Sequence, residues 1–314
     1  LAQKWRSGVT GLRQIGWMKL AALDLGSNSF HLLVAQTNGV SELSKLGSDK
    51  EVLRLGAVVQ EHGQLSDDAY AKALQTVGRM VAVARELGAE KVLAVATSAL
   101  RDARNGRSFC EDCSTRYGVQ IELVSGDEEA RLAYLGARSA LNLSGGRVLV
   151  ADVGGGSVEL AAGDGVHCDS VQSLQLGFLR LAHAFPLGEP GGVGRLARYV
   201  QLECEKARWQ LGRFDTLLLS GGTARAIGKL LGGGIASAST TQVLELCEEL
   251  ARLPREALIA RGVERERATT LAAGAAVVSG LLAGFGQREL RISPRGLREG
   301  MILRELSQRA TRAA

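Results

Sequence analysis

The fold is decided by two stretches that share one pattern: LAALDLGSNSFHLLV at Leu20–Val34 and VLVADVGGGSVELAA at Val148–Ala162. In each stretch, alternating apolar residues predict a strand that ends in Asp-x-Gly-x-x-Ser, and a second apolar strand follows. Each copy therefore predicts a β-hairpin with a glycine-containing turn. Because the copies lie in different halves of the chain, the sequence predicts two parts of similar build.

Phosphate and metal binding are the chemistry that the two turns predict. Glycines allow a positive φ and so let backbone N–H groups converge on an anion, and Ser29 and Ser157 add hydroxyl donors. Asp24 and Asp152, at the strand ends, can hold a divalent cation or a water molecule. A single copy would be better explained as an ordinary glycine-rich hairpin, because short glycine motifs are weak signals. Two copies with Asp and Ser in register favour the functional interpretation.

The composition describes a globular chain that is long enough for two domains. It has 314 residues, of which 46% are hydrophobic and 23% are charged, and single cores rarely grow beyond about 250–300 residues. The net charge is +5, but residues 1–23 and 288–314 each carry an excess of four positive charges, so residues 24–287 have a net charge of −3. Nucleic-acid-binding folds typically carry an internal basic stripe with aromatic residues. The charge pattern therefore argues against a nucleic-acid partner.

Cysteine usage and hydropathy predict a soluble cytoplasmic protein. The five cysteines are scattered and odd in number, which favours a reducing compartment over a disulfide framework. Cys110 and Cys113 form a CxxC within a predicted helix, with no second pair to complete a zinc site. Ala268–Gln287 is uncharged and long enough to span a bilayer, but its Ala, Gly and Thr content favours a buried helix. We expect neither a signal peptide nor a membrane partner.

The remaining periodicities predict an α/β alternation. They indicate helices over 66–87, 107–117, 127–141, 242–253, 267–285 and 297–309, and strands over 91–97, 119–124, 216–219 and 289–292. We place the domain boundary near 142–146. This gives a first domain over 18–142 and a second over 143–314, with the last helix able to pack back on the first. We expect residues 1–17 to be a disordered or artefactual extension that contributes little to catalysis.

Six motifs, spread over nearly the whole chain, resemble the exopolyphosphatase/guanosine pentaphosphate phosphatase (Ppx/GppA) family of the actin-like ATPase superfamily. They are DLGSNSFHLLVA at 24–35, ATSALRDARN at 96–105, SGDEEARLAYLG at 125–136, DVGGGSVEL at 152–160, SGGT at 220–223 and LREGMI at 297–302. The resemblance implies an α/β fold of two ribonuclease-H-like domains with an interdomain active-site cleft. It further implies hydrolysis of a terminal phosphoanhydride with Mg²⁺ or Mn²⁺, and a homodimer.

The same resemblance implies the catalytic residues. Glu129 matches the family's catalytic glutamate, with Glu128 as the fallback if the register shifts by one, and Arg101 matches the arginine that reaches the phosphate. Without the resemblance, the preferred explanation of Glu129 is an acid placed in a helix first turn by the helix dipole. Arg101 could likewise be a solvated loop charge.

Metal-binding and phosphate-binding residues are implied in the same way. Asp152 and Glu159 would hold or orient the metal ion, and Asp24 is a third metal candidate. The phosphate-binding candidates are Ser27, Asn28 and Ser29 in the first turn, Gly154, Gly155, Gly156 and Ser157 in the second, Gly221, Gly222 and Thr223 in the SGGT motif, and Arg267. His31 aligns with Glu159, and we interpret it as structural.

The function that these residues favour is exopolyphosphatase activity on inorganic polyphosphate. The sequence also allows the related 5′-phosphatase that converts guanosine pentaphosphate to tetraphosphate. A sugar kinase or actin-like ATPase would fit the SGGT motif, although the Glu128–Glu129 pair and LREGMI favour the phosphatase branch. A sensor that binds polyphosphate or guanosine alarmones without turnover is a further alternative. The chain resembles the short two-domain form of the family.

Overall fold

A computed structural model describes residues 17–38, 43–140, 146–165, 167–187, 189, 191–232, 237–265 and 267–313. Except for Trp17, the predicted extension lies outside the described residues, as does most of the predicted boundary near 142–146. The chain forms two compact units: unit 1 is Leu1–Ser144 with Leu297–Ala314, and unit 2 is Gly145–Gly296. The last helix thus groups with unit 1, whereas the sequence division kept 143–314 together.

The described secondary structure alternates strands and helices along the chain. The strands are β1 (Met18–Leu25), β2 (Ser29–Thr37), β3 (Leu43–Val52), β4 (Lys91–Ala96), β5 (Ile121–Leu123), β6 (Val148–Val153), β7 (Val158–Gly163), β8 (Ser170–Leu174), β9 (Thr216–Ser220), β10 (Ser237–Ser239) and β11 (Glu289–Ile292). The helices are α1 (Leu55–His62), α2 (Asp67–Glu86), α3 (Ser98–Asp102), α4 (Gly106–Tyr117), α5 (Gly126–Ser139), α6 (Phe178–Ala184), α7 (Gly192–Leu211), α8 (Gly221–Leu230), α9 (Thr240–Arg252), α10 (Arg255–Ala260), α11 (Leu271–Phe285) and α12 (Leu297–Ala313).

The two units have the same sheet topology. Unit 1 contains a five-stranded sheet in the order β3-β2-β1-β4-β5, in which β1 pairs antiparallel with β2 and parallel with β4. Unit 2 contains a six-stranded sheet in the order β10-β11-β9-β6-β7-β8, in which β6 pairs antiparallel with β7 and parallel with β9. In both, a hairpin is followed by parallel crossovers, which is the ribonuclease-H-like strand order. The predicted α/β class and the duplication are confirmed.

Both predicted hairpins form in the register that the repeat implies. Asp24 lies opposite His31 in the first hairpin, and Asp152 lies opposite Glu159 in the second. The strands of the two hairpins are buried almost throughout, as expected of strands that are covered on both faces. Leu20 and Ala22 on one face of β1 pack in a different cluster from Leu23 on the other. Both turns lie where β1 and β6 end.

Helix positions follow the capping signals that the sequence carries. Helix α2 begins after Ser66, whose side chain accepts a hydrogen bond from the N–H of Ala69, as expected of an N-cap serine. The predicted helix over 267–285 begins instead at Leu271, so Arg267 lies in the preceding turn. The helix is buried along nearly its whole length, in agreement with its uncharged sequence. Within the described ranges, no helix combines the length and hydropathy needed to cross a membrane.

The CxxC pair lies on α4, as predicted. Cys113 is buried and Cys110 is half-buried, and burial raises the pKa of the Cys113 thiol to about 12. Such a thiol is protonated at neutral pH and is a poor nucleophile. The pair is therefore a packing feature of α4 in the structure.

Candidate functional site

The first turn, in unit 1, is tied to two neighbouring segments. Ser27 is buried, and its Oγ accepts a hydrogen bond from the N–H of Ala99 at 3.1 Å. This contact satisfies one of the N–H groups at the start of α3, the short helix that carries Arg101. The carbonyl oxygen of Asn28 accepts from the N–H groups of Leu53 and Arg54. The turn therefore positions the Arg101 helix as well as presenting its own donors.

Ser29 of the same turn is paired with His31. Ser29 Oγ lies 2.8 Å from Nε2 of His31. Because Asp24 and Lys50 are the cross-strand neighbours of His31, the three side chains lie in a row on one face of the sheet. The direct neighbours of Asp24 are His31 and Val95, and neither supplies the oxygen ligand that Mg²⁺ prefers. The surroundings of Asp24 therefore do not favour it as a metal ligand.

Arg101 and Glu129 form a partly buried ion pair. Nη1 of Arg101 lies 3.3 Å from Oε2 of Glu129 and donates to the carbonyl oxygen of Val124 at 2.9 Å. Glu129 lies in the first turn of α5, which begins after the N-cap Ser125. The structure thus brings together the two residues that the sequence proposes for catalysis. It buries Glu129 and half-buries Arg101, which strengthens electrostatic interactions with an anionic ligand.

Glu128 and Glu129 face different surroundings, because adjacent residues in a helix point about 100° apart. The side chain of Glu129 is 9% exposed and that of Glu128 is 30% exposed. Glu128 is paired with Arg304 of α12 at 2.9 Å and lies 3.8 Å from Arg131. Of the two acids, Glu129 is the one held beside Arg101. The geometry favours Glu129 as the catalytic carboxylate, with Glu128 in a supporting position.

The second turn, in unit 2, has a different backbone from the one expected. The sequence argument relied on glycines with positive φ, but Gly26 and residues 154–156 do not have positive φ. The carbonyl oxygens of Gly154, Gly155 and Gly156 accept hydrogen bonds from residues 178–180. Within the described residues, no hydrogen bond engages the N–H groups of 155–157. With the carbonyl side occupied, the amide side is available for an anion.

The close approach of the chain at position 177 to this turn explains the glycine found there. A Cβ added at Gly177 would overlap the backbone of Gly155, Gly156 and Ser157 at less than 3.0 Å. Gly177 itself has φ −60 and ψ 140, which any residue adopts. The requirement for glycine at this position is therefore one of space. Helix α6 begins directly behind the turn and fixes its carbonyl groups.

A row of polar side chains runs across the unit 2 sheet below this turn. By register, Ser220, Asp152, Glu159 and Ser173 are successive cross-strand neighbours on β9, β6, β7 and β8. Glu159 is buried, and its Oε1 accepts from Ser173 Oγ at 3.0 Å. Ser220 is fully buried, and its Oγ has no hydrogen-bond partner in the described structure. An unsatisfied buried hydroxyl costs about 1–3 kcal/mol, so a ligand that engages it would stabilise this row.

The carboxylates of this row fit a magnesium ion that is held mainly by water and phosphate. In the described part of the chain, no three His, Cys, Asp or Glu side chains cluster as a metal cage. Mg²⁺ usually keeps several water ligands and binds one or two carboxylates together with substrate phosphates. Asp152 and Glu159 supply that donor set.

The SGGT motif begins helix α8, at the end of β9. Gly221 has φ +90, a conformation that favours glycine, and a Cβ there would overlap Oδ1 of Asp152. A Cβ at Gly222 would lie 2.6 Å from Nη2 of Arg267, so this guanidinium lies against the start of α8. Burial lowers the pKa of Arg267. Asp152, Arg267 and the first turn of α8 are thus brought together.

Thr223 of the same motif is placed differently. Its side chain is buried against Gly274 of α11, where a Cβ would lie 2.6 Å from Cγ2 of Thr223. In the structure its side chain is a packing contact between α8 and α11, and a role in phosphate binding stays a prediction. Pattern reasoning also missed Gly177, Arg180 and Ser220. Only Ser220 had a local signal, as the first residue of SGGT.

A family model described as the Ppx/GppA phosphatase family matches residues 33–309. The chain belongs to the Ppx/GppA phosphatase family. The resemblance carried by the six sequence motifs is thereby confirmed. Membership makes the chain a phosphatase, and the prediction of a phosphoanhydride hydrolase is confirmed.

Individual Ppx/GppA relatives match over nearly the whole chain. Exopolyphosphatase 1 of Mycobacterium tuberculosis strain H37Rv is 30% identical over 308 residues, which cover 93% of this chain and 90% of the relative. Exopolyphosphatase 1 of Mycobacterium leprae is 29% identical over 310 residues, which cover 93% and 91%. The crystal structure of the Aquifex aeolicus Ppx/GppA family member superposes with a TM-score of 0.80 at 28% identity, covering 94% of this chain and 99% of that one.

Proposed function

We propose that this Ppx/GppA phosphatase is an exopolyphosphatase that removes the terminal phosphate of inorganic polyphosphate with the help of Mg²⁺ or Mn²⁺. One observation carries the proposal. At the carboxyl ends of β6 and β9, unit 2 combines the Asp152 and Glu159 carboxylates, the amide side of residues 155–157 and the first turn of α8 beside Arg267. These are groups for a metal ion and for several phosphate oxygens.

Unit 1 would supply the groups that act on the scissile bond. A water oxygen forms a bond to the terminal phosphorus while the bridging anhydride bond breaks, and the shortened chain leaves with the bridging oxygen. Glu129 would accept the proton of that water. Arg101 would neutralise charge on the transferred phosphoryl group. An incoming phosphate competes with Glu129 for the guanidinium, which would free the carboxylate to act on water.

Unit 2 would bind the anionic chain and the metal. A metal ion held by Asp152 and Glu159 would neutralise charge on phosphate oxygens. The N–H groups of 155–157 would bind the terminal phosphate, and Arg267 would bind a phosphate further along. Ser27, Asn28 and Ser29 would donate to the same substrate from the first turn, although Ser27 already accepts from Ala99.

The experiment that tests this function is phosphate release from long-chain polyphosphate, guanosine pentaphosphate and ATP, each with Mg²⁺ and with a chelator. We expect release from polyphosphate that requires the metal. Faster release from guanosine pentaphosphate would instead assign the alarmone phosphatase activity. Release from ATP that depends on a sugar would indicate a kinase. Binding without release from any of the three would indicate a sensor and overturn the proposal.

A matched pair of arginine variants tests the proposed phosphate path. Arg267→Met removes the guanidinium beside Gly222, whereas Arg265→Met removes an exposed charge two residues away. Because a hydrogen bond to a charged group is worth about 1.5–3 kcal/mol, we expect Arg267→Met to raise KM for polyphosphate about tenfold or more. Arg265→Met should leave KM near the wild-type value. Equal KM values in the two variants would remove Arg267 from the path.

The compartment and the assembly belong to the same proposal. All five cysteines are free, which supports a reducing compartment and hence a cytoplasmic enzyme. A homodimer is proposed from the family resemblance. Light scattering coupled to size-exclusion chromatography measures the assembly directly, and a monomeric mass would contradict the dimer.

A further inference from the structure

Helix α12, at the far end of the chain, packs antiparallel against α5, the helix that carries Glu129. A Cβ at Gly300 would overlap the carbonyl oxygen of Leu132 on α5. Arg304 lies one helical turn after Gly300 on α12, and Glu128 lies one helical turn before Leu132 on α5. The side chain of Arg304 reaches that of Glu128. Because Gly300 and Arg304 are four residues apart, they share one face of α12. Gly300 allows the close approach that brings Arg304 to the start of α5.

Arg304 holds both sides of the connection between β5 and α5. Its guanidinium donates to Glu122 of β5 at 2.5 Å and to Glu128 of α5 at 2.9 Å. The side chain of Arg304 is 27% exposed, so this interaction is only partly screened by water. The rigid, planar guanidinium suits two carboxylates at once.

The same short connection supplies both acceptors of Arg101. Val124 provides the carbonyl oxygen that Arg101 contacts, and Glu129 provides the carboxylate. Glu122 and Glu128, the two partners of Arg304, are immediate neighbours of these groups along the chain: Glu122 is two residues before Val124, and Glu128 is the residue before Glu129. Any change in the angle between β5 and α5 would therefore move Glu129 relative to Arg101.

We infer that Arg304 is a positioning residue for the hydrolysis. It holds the β5–α5 connection so that the carboxylate of Glu129 stays beside the guanidinium of Arg101. The inference rests on the proposed function, because it assigns Arg304 an effect on the reaction of Glu129. It extends the catalytic apparatus of unit 1 to a helix that lies more than 150 residues away in the sequence. Arg304 acts through Glu122 and Glu128 and does not itself contact substrate.

The test compares Arg304→Met with Arg309→Met, which removes the same charge from the same helix. In Arg309→Met, Glu305 loses Arg309 as a partner but keeps its ion pair with Lys91 at 2.8 Å. Because small displacements of catalytic groups cost up to about 100-fold in rate, we expect Arg304→Met to lower kcat about 10- to 100-fold with KM within about twofold. Arg309→Met should stay within about twofold of wild type in both constants. A wild-type kcat in Arg304→Met would overturn the inference.

A double-mutant cycle separates positioning from a general loss of structure. If Arg304 acts through Glu129, Arg304→Met should have little further effect in a Glu129→Gln background. The same fold-reduction in both backgrounds would overturn the inference. Should Arg304→Met fail to fold, Arg304→Lys and Glu122→Gln take its place, since Lys keeps the charge and Glu122 is exposed. Both should lower kcat severalfold, and wild-type kcat in both would again overturn it.

Failure of this inference is distinguishable from failure of the proposed function. If wild-type enzyme releases no phosphate from any of the three substrates, the proposed function fails. If wild-type enzyme is active and Glu129→Gln is impaired while Arg304→Met is not, only the role of Arg304 fails.

Discussion

Nη1 of Arg101 lies 3.3 Å from Oε2 of Glu129, and the same nitrogen donates to the carbonyl oxygen of Val124. The pair joins two helices. Arg101 lies on α3, whose Ala99 N–H donates to Ser27 of the first glycine turn, and Glu129 lies near the start of α5. A cation and a carboxylate held together at the carboxyl ends of the parallel strands β4 and β5 form a ready site for an anionic substrate and a water molecule.

Replacing Glu129 by Gln should leave the fold intact and lower phosphate release at least about 100-fold, the scale of losing an acid–base group. Glutamine keeps the size of the side chain and can still contact Arg101, but it cannot accept the proton of the attacking water. Release of phosphate from polyphosphate under saturating substrate measures the effect. Circular dichroism and thermal unfolding establish that the fold is retained.

Replacing the neighbouring Glu128 by Gln tests which of the two acids is the catalytic carboxylate. It removes one of the two carboxylates that Arg304 contacts and leaves Glu129 in place, so we expect a loss of less than about tenfold. If Glu128→Gln is the more damaging variant, the catalytic role belongs to Glu128, and the assignment based on burial and on Arg101 is wrong.

Replacing Asp152 by Asn should raise the concentration of Mg²⁺ needed for half-maximal activity. An amide retains one oxygen ligand but lacks the charge that attracts the cation. Asp24→Asn is the control in unit 1, where His31 and Val95 are the cross-strand neighbours of Asp24. We expect Asp24→Asn to leave the metal requirement nearly unchanged. An unaltered Mg²⁺ dependence in Asp152→Asn would place the metal elsewhere.

The hairpins and their acidic strand ends could be predicted from the sequence because their signals are local. Alternating apolar residues and the repeated Asp-x-Gly-x-x-Ser fix both the strands and the residues opposite each other. The contact of Asp152 with Gly221 had no such signal. It depends on the parallel pairing of β6 with β9, and residues far apart in the sequence do not reveal which strands become neighbours.

Other elements escaped prediction because their local sequence signals are weak. Strand β3, LSKLGSDKEV, is polar and half-exposed, and it lies at the sheet edge, where burial imposes no clear alternation. Helix α7 begins after Gly191 without a side-chain cap, so the sequence carries no start signal there. The role assigned to positive φ in residues 154–156 was wrong because none of these glycines adopts a positive φ, and the close approach that requires glycine is at position 177.

Replacing Gly177 by Ala should impair catalysis by displacing the second turn. The backbone of Gly177 is compatible with alanine, so any effect comes from the added methyl group against residues 155–157. We expect phosphate release to fall about tenfold or more, with a loss of stability of about 1–3 kcal/mol from overpacking. Gly165→Ala is the control, because a Cβ there meets no atom within 4 Å. Equal activity in the two variants would show that the turn tolerates displacement.

The buried carboxylate of Glu305 on α12 should make stability depend on pH in the acid range. Burial by itself raises the pKa of Glu305, but the ion pairs with Lys91 at 2.8 Å and Arg309 at 2.7 Å outweigh burial and hold the pKa below its usual value. A group with a lowered folded pKa stabilises the protein above its unfolded pKa, about 4.3 for Glu, and loses that contribution as the pH falls through the folded value.

Glu305→Gln should therefore be less stable than wild type at pH 7, by about 1–3 kcal/mol for a hydrogen-bonded charge. The difference should shrink as the pH falls below about 4, because the wild-type carboxyl then becomes neutral as well. Urea unfolding at a series of pH values measures this difference. Glu289→Gln, an exposed acid on β11, should show no comparable trend. A Glu305→Gln difference that stays constant down to acid pH would mean that the ion pairs with Lys91 and Arg309 do not stabilise the attachment of α12.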